Sequence, residues 1–507
     1  MSRYEAESSR QILARVWGCE FGRAGEARKL GAIFGRAGLL KMKAFPLLLL
    51  VGLASVTSAG RTHSSTVMPA NSRLMAHKPS VITSSAKAST TNQKGPLQDG
   101  PSQSEILNAV ALVTGTTVGA GVLALPATTA AAGFVPSTIA LVGAWVFMCS
   151  TGLLFAEIAA NLRKEEGMKT QSLGILAMTD KLLGKAGAIP AGSAYMLIHY
   201  ALLVAYIAGA GAIVSDVLHL PKAAGPVLFT AVVGSVLSFG SNALIDQFNN
   251  AWVAAVVISF SALIVLAVPA VNVANLSHAD YSAVSSSIPT MLVALVFHNV
   301  VPTVCQQLKY DRKAVTKAVV AGSAIPLVMF LIWNAVILGI APAGDPLASL
   351  RSGSGGQTFS VLVNTFSVSA IITSFTGFVI GLLGFFQDLS PSPTTSITTT
   401  GKAKNAAPQA ADSTAKASLQ LYAAVLLPPM AIAIAVGGDI FNKAIDIAGL
   451  YGITVLFGIL PVVMAWLQRS SAGRRGDHDD FLPGGQLALG TLLISVILVV
   501  AKAVGAL

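Results

Sequence analysis

The residues with the clearest chemistry lie in two short apolar stretches. The first is Gly115-Thr116-Thr117-Val118-Gly119-Ala120-Gly121, with Pro126 a little further on. Each of these glycines weakens a helix by about 1 kcal/mol relative to alanine. Pro126 cannot donate to the carbonyl of Val122 and clashes with it. The second stretch is Phe297-His298-Asn299, followed by Pro302, which is expected to free the carbonyl of His298. Unwound backbone offers N–H groups that suit a carboxylate and carbonyls that suit an ammonium or a small cation. A zwitterion needs both. Two plainer readings stay open at this point: Gly115-x-x-x-Gly119 as a close-packing motif, and His298 as a satisfied core histidine.

The elements that must carry these stretches are set by composition. Of 507 residues, 53% are hydrophobic and 11% charged, against roughly 25% charged in a soluble domain. That balance excludes a soluble enzyme and a disordered chain, and points to a bilayer with lipid as the main partner. Cys19, Cys149 and Cys305 are too scattered for a disulfide framework or a metal site. Over residues 101–507 apolar runs alternate with short polar breaks, giving spans near 105–131, 134–162, 188–216, 225–241, 249–271 and 287–305. Five more follow near 316–341, 359–388, 419–437, 443–468 and 484–506, with a long, mobile inner loop expected over 389–418. Backbone in lipid must satisfy itself, so the spans are helices and the fold is all-α. With Ser104 inside, 15 Lys/Arg fall on inner segments and 4 on outer ones, which favours an inner N-terminus and an odd span count. The same distribution accounts for the formal net charge of +11 without a nucleic-acid partner.

The two interrupted stretches fall in the first and sixth spans. An offset of five helices turns the second set upside down relative to the first, the arrangement in which broken helices meet at a midplane site. The expectation is a carrier for a small zwitterion such as an amino acid.

Gly115 to Pro126 (GTTVGAGVLALP), Phe297 to Pro302 (FHNVVP) and Ala321 to Asn334 (AGSAIPLVMFLIWN) resemble the aromatic amino acid permease family, over about residues 102–505. The resemblance implies a leucine-transporter-like fold, with a 5+5 inverted repeat and an eleventh helix. It also implies proton-coupled symport of tyrosine or tryptophan, with no bound cofactor or metal. It places substrate contacts on Thr116, Gly119 and Gly121, with Thr117 and Ala120 in the same stretch, and on Phe297, His298 and Asn299. By analogy with the fold, a tyrosine of the third span closes over the substrate, and Tyr200 is the first choice ahead of Tyr206. The alternative is a carrier of another neutral amino acid with the same fold, with sodium as the coupling ion.

Three further residues are candidates for ion coupling. Glu157, near the inner end of the second span, is either a proton carrier or inner-gate residue, or a side chain that snorkels or pairs with a loop lysine. Thr373 and Ser374 of the eighth span flank the first in this fold; they either bind a cation or relay a proton, or simply back-bond to their own helix. No span presents a nucleophile with its base, so no enzyme is expected, and none carries the ring-forming polar repeat of a channel.

Residues 1–100 read as an address. Lys41 and Lys43 precede an apolar core from Ala44 to Val56 and the small residues Thr57-Ser58-Ala59, a secretory signal. Residues 61–98 then hold 12 Ser/Thr, five Lys/Arg and no acid. That succession resembles the bipartite presequence of algae with complex plastids, which implies a plastid envelope location; the alternative is a low-complexity cytosolic tail.

Overall fold

The computed structural model describes residues 100–165, 174–340, 346, 350, 356–389, 408–437, 440–472 and 480–503. The presequence expected over 1–100, all but its last residue, lies outside the described residues, as do residues 390–407 of the expected 389–418 loop. Every regular element among the described residues is helical.

The first span is two helices, α1 (Gln103–Thr117) and α2 (Gly121–Thr129), bent by 55° at the glycine-rich stretch. A reciprocal cap starts α1: Glu105 N–H donates to Ser102 Oγ at 3.3 Å, and Ser102 N–H donates to the Glu105 carboxylate at 2.7 Å. The next four spans are α3 (Phe134–Glu165), α4 (Ile175–Val217), α5 (Ala224–Phe239) and α6 (Asn242–Ala267). The sixth is again broken, into α7 (Ile288–Ala294) and α8 (Val301–Gln307). Then come α9 (Arg312–Ile340), α10 (Gln357–Leu389) and α11 (Pro408–Val436). The tenth span runs as α12 (Ile440–Ile447), a π-helical stretch over Ala448–Ile459 and α13 (Leu460–Ala472); α14 (Gly485–Ala503) is the eleventh. Among the described residues eight helices are long and apolar enough to cross a membrane, and the bent first pair makes a ninth. The shorter apolar helices Ala224–Phe239 and Gly485–Val499 take the fourth and eleventh places in the order read from the sequence.

Two boundaries need correction. Helix begins at Ile175 rather than near 188, because Gly184 (φ 61°) turns the chain and separates a first helical piece, Ile-Leu-Ala-Met-Thr-Asp-Lys-Leu-Leu, from the span proper. Its charges hid it from a hydropathy reading. The expected 389–418 loop ends early: the chain is helical from Pro408. Proline is well suited to a first helical position, and the alanine-rich residues behind it favour helix without being apolar enough to read as a span.

The packing repeats with an offset of five. The first half of span one (α1) lies against span seven (α9), and the second half of span six (α8) lies against span two (α3). Span five (α6) packs on span eight (α10); its counterpart, span ten, packs on span three (α4). Exchanging each span for the one five places on reproduces these pairs, which is the 5+5 inverted repeat of a leucine-transporter-like fold. The third and sixth spans are the most buried, and the fifth is largely open at its surface. The broken sixth span packs against the first, second and tenth.

Candidate functional site

At the break in span one the helical ladder stops. Val118 turns to an extended ψ of 98°. The N–H of Gly119 finds no partner among the described residues, and that of Ala120 leaves the helix to donate to Ser374 Oγ at 2.8 Å. Val122 N–H bonds the carbonyl of Gly119 at 3.3 Å, a tighter turn than α-helix. The carbonyls of Gly115, Thr116 and Val118 thereby lose their regular donors. Three contacts to α9 steady the two halves. Thr114 Oγ1 donates to the Gly322 carbonyl at 2.9 Å, Trp333 Nε1 to the Val122 carbonyl at 3.1 Å, and Thr129 Oγ1 to Asn334 Oδ1 at 2.8 Å. The hydroxyls of Thr116 and Thr117 back-bond to Leu112 and Val113, both at 2.8 Å. Thr116 is exposed and Thr117 buried, so they present to different surroundings.

The broken spans touch at their backbones. A Cβ added to Gly121 would lie 2.8 Å from the Cα of Ala294, the last residue of α7, which is why glycine is required there. Beyond Ala294 the chain leaves the helix over Leu295–Phe297, and Phe297 N–H has no partner among the described residues. The expected release of the His298 carbonyl by Pro302 does not occur. That carbonyl accepts from Val301 N–H within a short 3₁₀ turn, and Pro302 sits in the first turn of α8, where a missing N–H breaks nothing.

Phe297 and His298 are both buried and are packed against span two. The His298 ring is sandwiched between Phe297 and Phe457, at centroid distances of 4.9 and 4.7 Å, with the edge of Phe155 at 5.9 Å. Its Nε2 pairs with Thr151 Oγ1 at 2.9 Å, while Nδ1 is buried without a hydrogen bond. Asn299 differs: it is exposed, and Thr303, Gln306 and Gln307 continue its polar face along α8. On adjacent α1 the residues Asn108, Ala111, Gly115 and Thr116 are exposed as well. These exposed residues run along α1 and α8 as far as the two breaks.

Tyr200 is placed away from the break. Its hydroxyl donates to the Ala424 carbonyl of α11 at 2.8 Å. Tyr206 lies beside Ser374 and packs edge-on against Phe378 of α10. The two tyrosines are six positions apart on one helix and point to different faces. Thr373 Oγ1 back-bonds to Ala370 at 3.0 Å, whereas Ser374 reaches the break.

Glu157 has an arginine, not a loop lysine, as its partner among the described residues. It is buried and held in a two-pronged ion pair by Arg469 of α13, with Nε–Oε1 at 2.7 Å and Nη2–Oε2 at 2.8 Å. The Phe481 N–H adds a bond at 2.9 Å, and Arg469 also donates to the carbonyls of Leu482 and Gly485. Arg469, read from the sequence as a loop cation, is thus a buried helical residue joining the inner end of α3 to the approach of α14. Close by, Arg163 stands 4.3 Å from the ring centroid of Tyr310 on the loop after α8. Burial raises the Tyr310 phenol above its ordinary value, and the guanidinium pulls it back.

The arrangement can do what two open helices allow: bind a carboxylate on free N–H groups near Gly119, bind an ammonium on freed carbonyls, and expose both to water along α1 and α8. Among the described residues no group of three His, Cys, Asp or Glu side chains could hold a metal ion. The sequence reading missed Trp333 and Thr151 as individual partners, and passed over Asp446 in the tenth span.

A family model described as "Tryptophan/tyrosine permease family" matches residues 102–502. A Tyrosine-specific transport system 1 of Haemophilus influenzae is 29% identical over 55% of this chain and 72% of its own. A Tryptophan-specific transport protein of Shigella flexneri is 27% identical over 80% of this chain and 94% of its own. A crystal structure of MhsT in complex with L-phenylalanine aligns with 80% of this chain and 100% of that one, at 14% identity and a TM-score of 0.49.

Proposed function

Because this chain belongs to the tryptophan/tyrosine permease family over residues 102–502, we propose that it is a proton-coupled symporter of an aromatic amino acid, tyrosine or tryptophan. Membership places it among multi-pass membrane transporters. The finer reading rests on the site. One observation carries it: beside the Gly121–Ala294 contact of the two broken spans, Gly119 keeps an unpaired N–H and Ala120 has turned to Ser374. Free donors and acceptors at mid-membrane match the two ends of an amino-acid backbone.

The names of the relatives favour an aromatic side chain. Thr116, Thr117, Gly119, Ala120 and Gly121 form the backbone-binding segment, with Asn299 at its wet edge. Phe297 and His298 shape the site from behind by fixing the sixth span to the second. Alternating access moves the spans around these two breaks. The Ser/Thr-rich, acid-free stretch over 61–98 supports delivery to a plastid envelope.

The test is uptake of labelled tyrosine, tryptophan and leucine into proteoliposomes, with proton and sodium gradients imposed separately. The proposal expects saturable accumulation of an aromatic amino acid under an inward proton gradient alone. Accumulation driven by sodium alone, or preference for leucine, would contradict it.

A further inference from the structure

Among the acidic side chains within the described spans, Glu157 is locked to Arg469 and Asp446 is not paired. Asp446 lies on α12, in Ile-Phe-Asn-Lys-Ala-Ile-Asp-Ile, toward the end of the tenth span opposite Arg469. It is half-buried. Its carboxylate accepts a hydrogen bond of 3.1 Å from the Thr290 hydroxyl on α7, and Thr290 is itself fully buried. No cation pairs with it among the described residues.

The surroundings hold few charges. Of the elements packed against α12, neither α2 nor α7 carries a titratable side chain. The outer half of α4 carries His199, buried with its Nδ1 on the Tyr195 carbonyl and its ring against Phe378, then Tyr200, bonded to Ala424, Tyr206, buried beside Ser374, and Asp216, exposed near its end. The π-helical stretch carries Tyr451, which is exposed, and α12 itself carries Lys443, exposed one turn earlier. A carboxylate within a membrane span that has only a neutral hydroxyl as partner is costly, and such groups mark proton paths.

Its position couples it to the site. The π-helical stretch begins two residues after Asp446, and π geometry inside a helix is frequent at functional positions. Gly449 of that stretch packs its backbone directly on Pro289 of α7, and Phe457 stacks on His298 beyond the break. The tenth span therefore grips the sixth on both sides of its interruption, with His298 on one side and Asp446, the carboxylate of that grip, on the other.

We infer that Asp446 is a proton-binding site of this carrier, whose hydrogen bond to Thr290 links proton binding to the broken sixth span. The inference rests on the proton-coupled reading above. A proton from the outer side adds to the carboxylate and neutralises it. No other bond forms or breaks, and the same proton is released once the carrier has turned inward. The bond to Thr290 changes partner character in that step, so the hold of α12 on α7 depends on the proton.

The experiment uses the full chain in proteoliposomes with labelled tyrosine. Asp446→Asn is expected to lose accumulation driven by a proton gradient and to lose the pH dependence of tyrosine binding, while tyrosine exchange persists. Asp446→Glu restores gradient-driven accumulation. Thr290→Val keeps the carboxylate and moves the midpoint of the pH dependence of binding. Full gradient-driven accumulation by Asp446→Asn, or an unmoved midpoint in Thr290→Val, overturns the assignment while leaving proton symport standing. Wild-type accumulation indifferent to the proton gradient overturns the symport reading and this assignment with it.

Discussion

The indole N–H of Trp333 donates to the carbonyl of Val122 at 3.1 Å. Pro126 cannot reach that carbonyl with a donor of its own, so a side chain from the seventh span takes its place. The start of α2 is therefore held from outside its own helix. The unwound segment just before it keeps its shape because a neighbour supplies what proline removed.

Trp333 is fully buried, and Trp333→Phe keeps most of its apolar bulk while leaving the Val122 carbonyl unpaired. The expected cost is about 1–3 kcal/mol. It is read as a lower unfolding temperature in detergent, with reduced uptake. An unchanged unfolding temperature would show that the bond does not hold the break.

Ser374 fixes the break from the other side. Ser374→Ala frees the Ala120 N–H and is expected to weaken tyrosine binding by roughly five- to tenfold, about the value of one hydrogen bond. Gly119→Ala presses a methyl group onto Ser374 Oγ, so it should impair binding similarly, and the double variant should be less than additive. Additive losses would mean that the two residues act separately.

Glu157 and Arg469 form a buried pair. Breaking it from one side leaves an uncompensated charge, so Glu157→Gln is expected to destabilise the protein by about 3–5 kcal/mol. Glu157→Gln combined with Arg469→Met should recover part of that loss. If Glu157→Gln folds with wild-type stability and instead loses proton coupling, Glu157 is a carrier of protons rather than a structural clamp.

The two tyrosines of the third span separate by face. Tyr206→Phe is expected to raise the KM for tyrosine uptake, because Tyr206 lies beside Ser374. Tyr200→Phe removes a bond to Ala424 and should lower stability by about 1 kcal/mol while leaving KM close to wild type. The reverse pattern would return the closing role to Tyr200.

How much of this was legible in the sequence follows from the range of each force. The break in span one was readable because glycine content and Pro126 act on backbone locally. The break in span six was placed a few residues late. Pro302 looked like its cause, yet the chain unwinds at Leu295–Phe297, where no glycine or proline announces it and where the neighbour, Gly121 against Ala294, belongs to another span. Ranking Tyr200 ahead of Tyr206 had no support from periodicity, because buried residues run without interruption from Ile198 to Ile207 and nothing tells which face meets which neighbour. Arg469 counted as a loop charge because its partner Glu157 is 312 positions away in sequence. Asp446 was overlooked because it falls in the first turns of a span, where an acid reads as a boundary residue.

The central claim is that the substrate lies at the broken first span, and substrate protection tests it most directly. Cys149 and Cys305 are buried, so in a Cys19→Ser background Thr116→Cys supplies an exposed thiol at the break. The rate of its modification by a membrane-permeant thiol reagent is measured with and without saturating tyrosine or tryptophan. The account predicts that the aromatic amino acid slows modification severalfold. A rate that does not change, in a variant that still binds the amino acid, would place the substrate elsewhere.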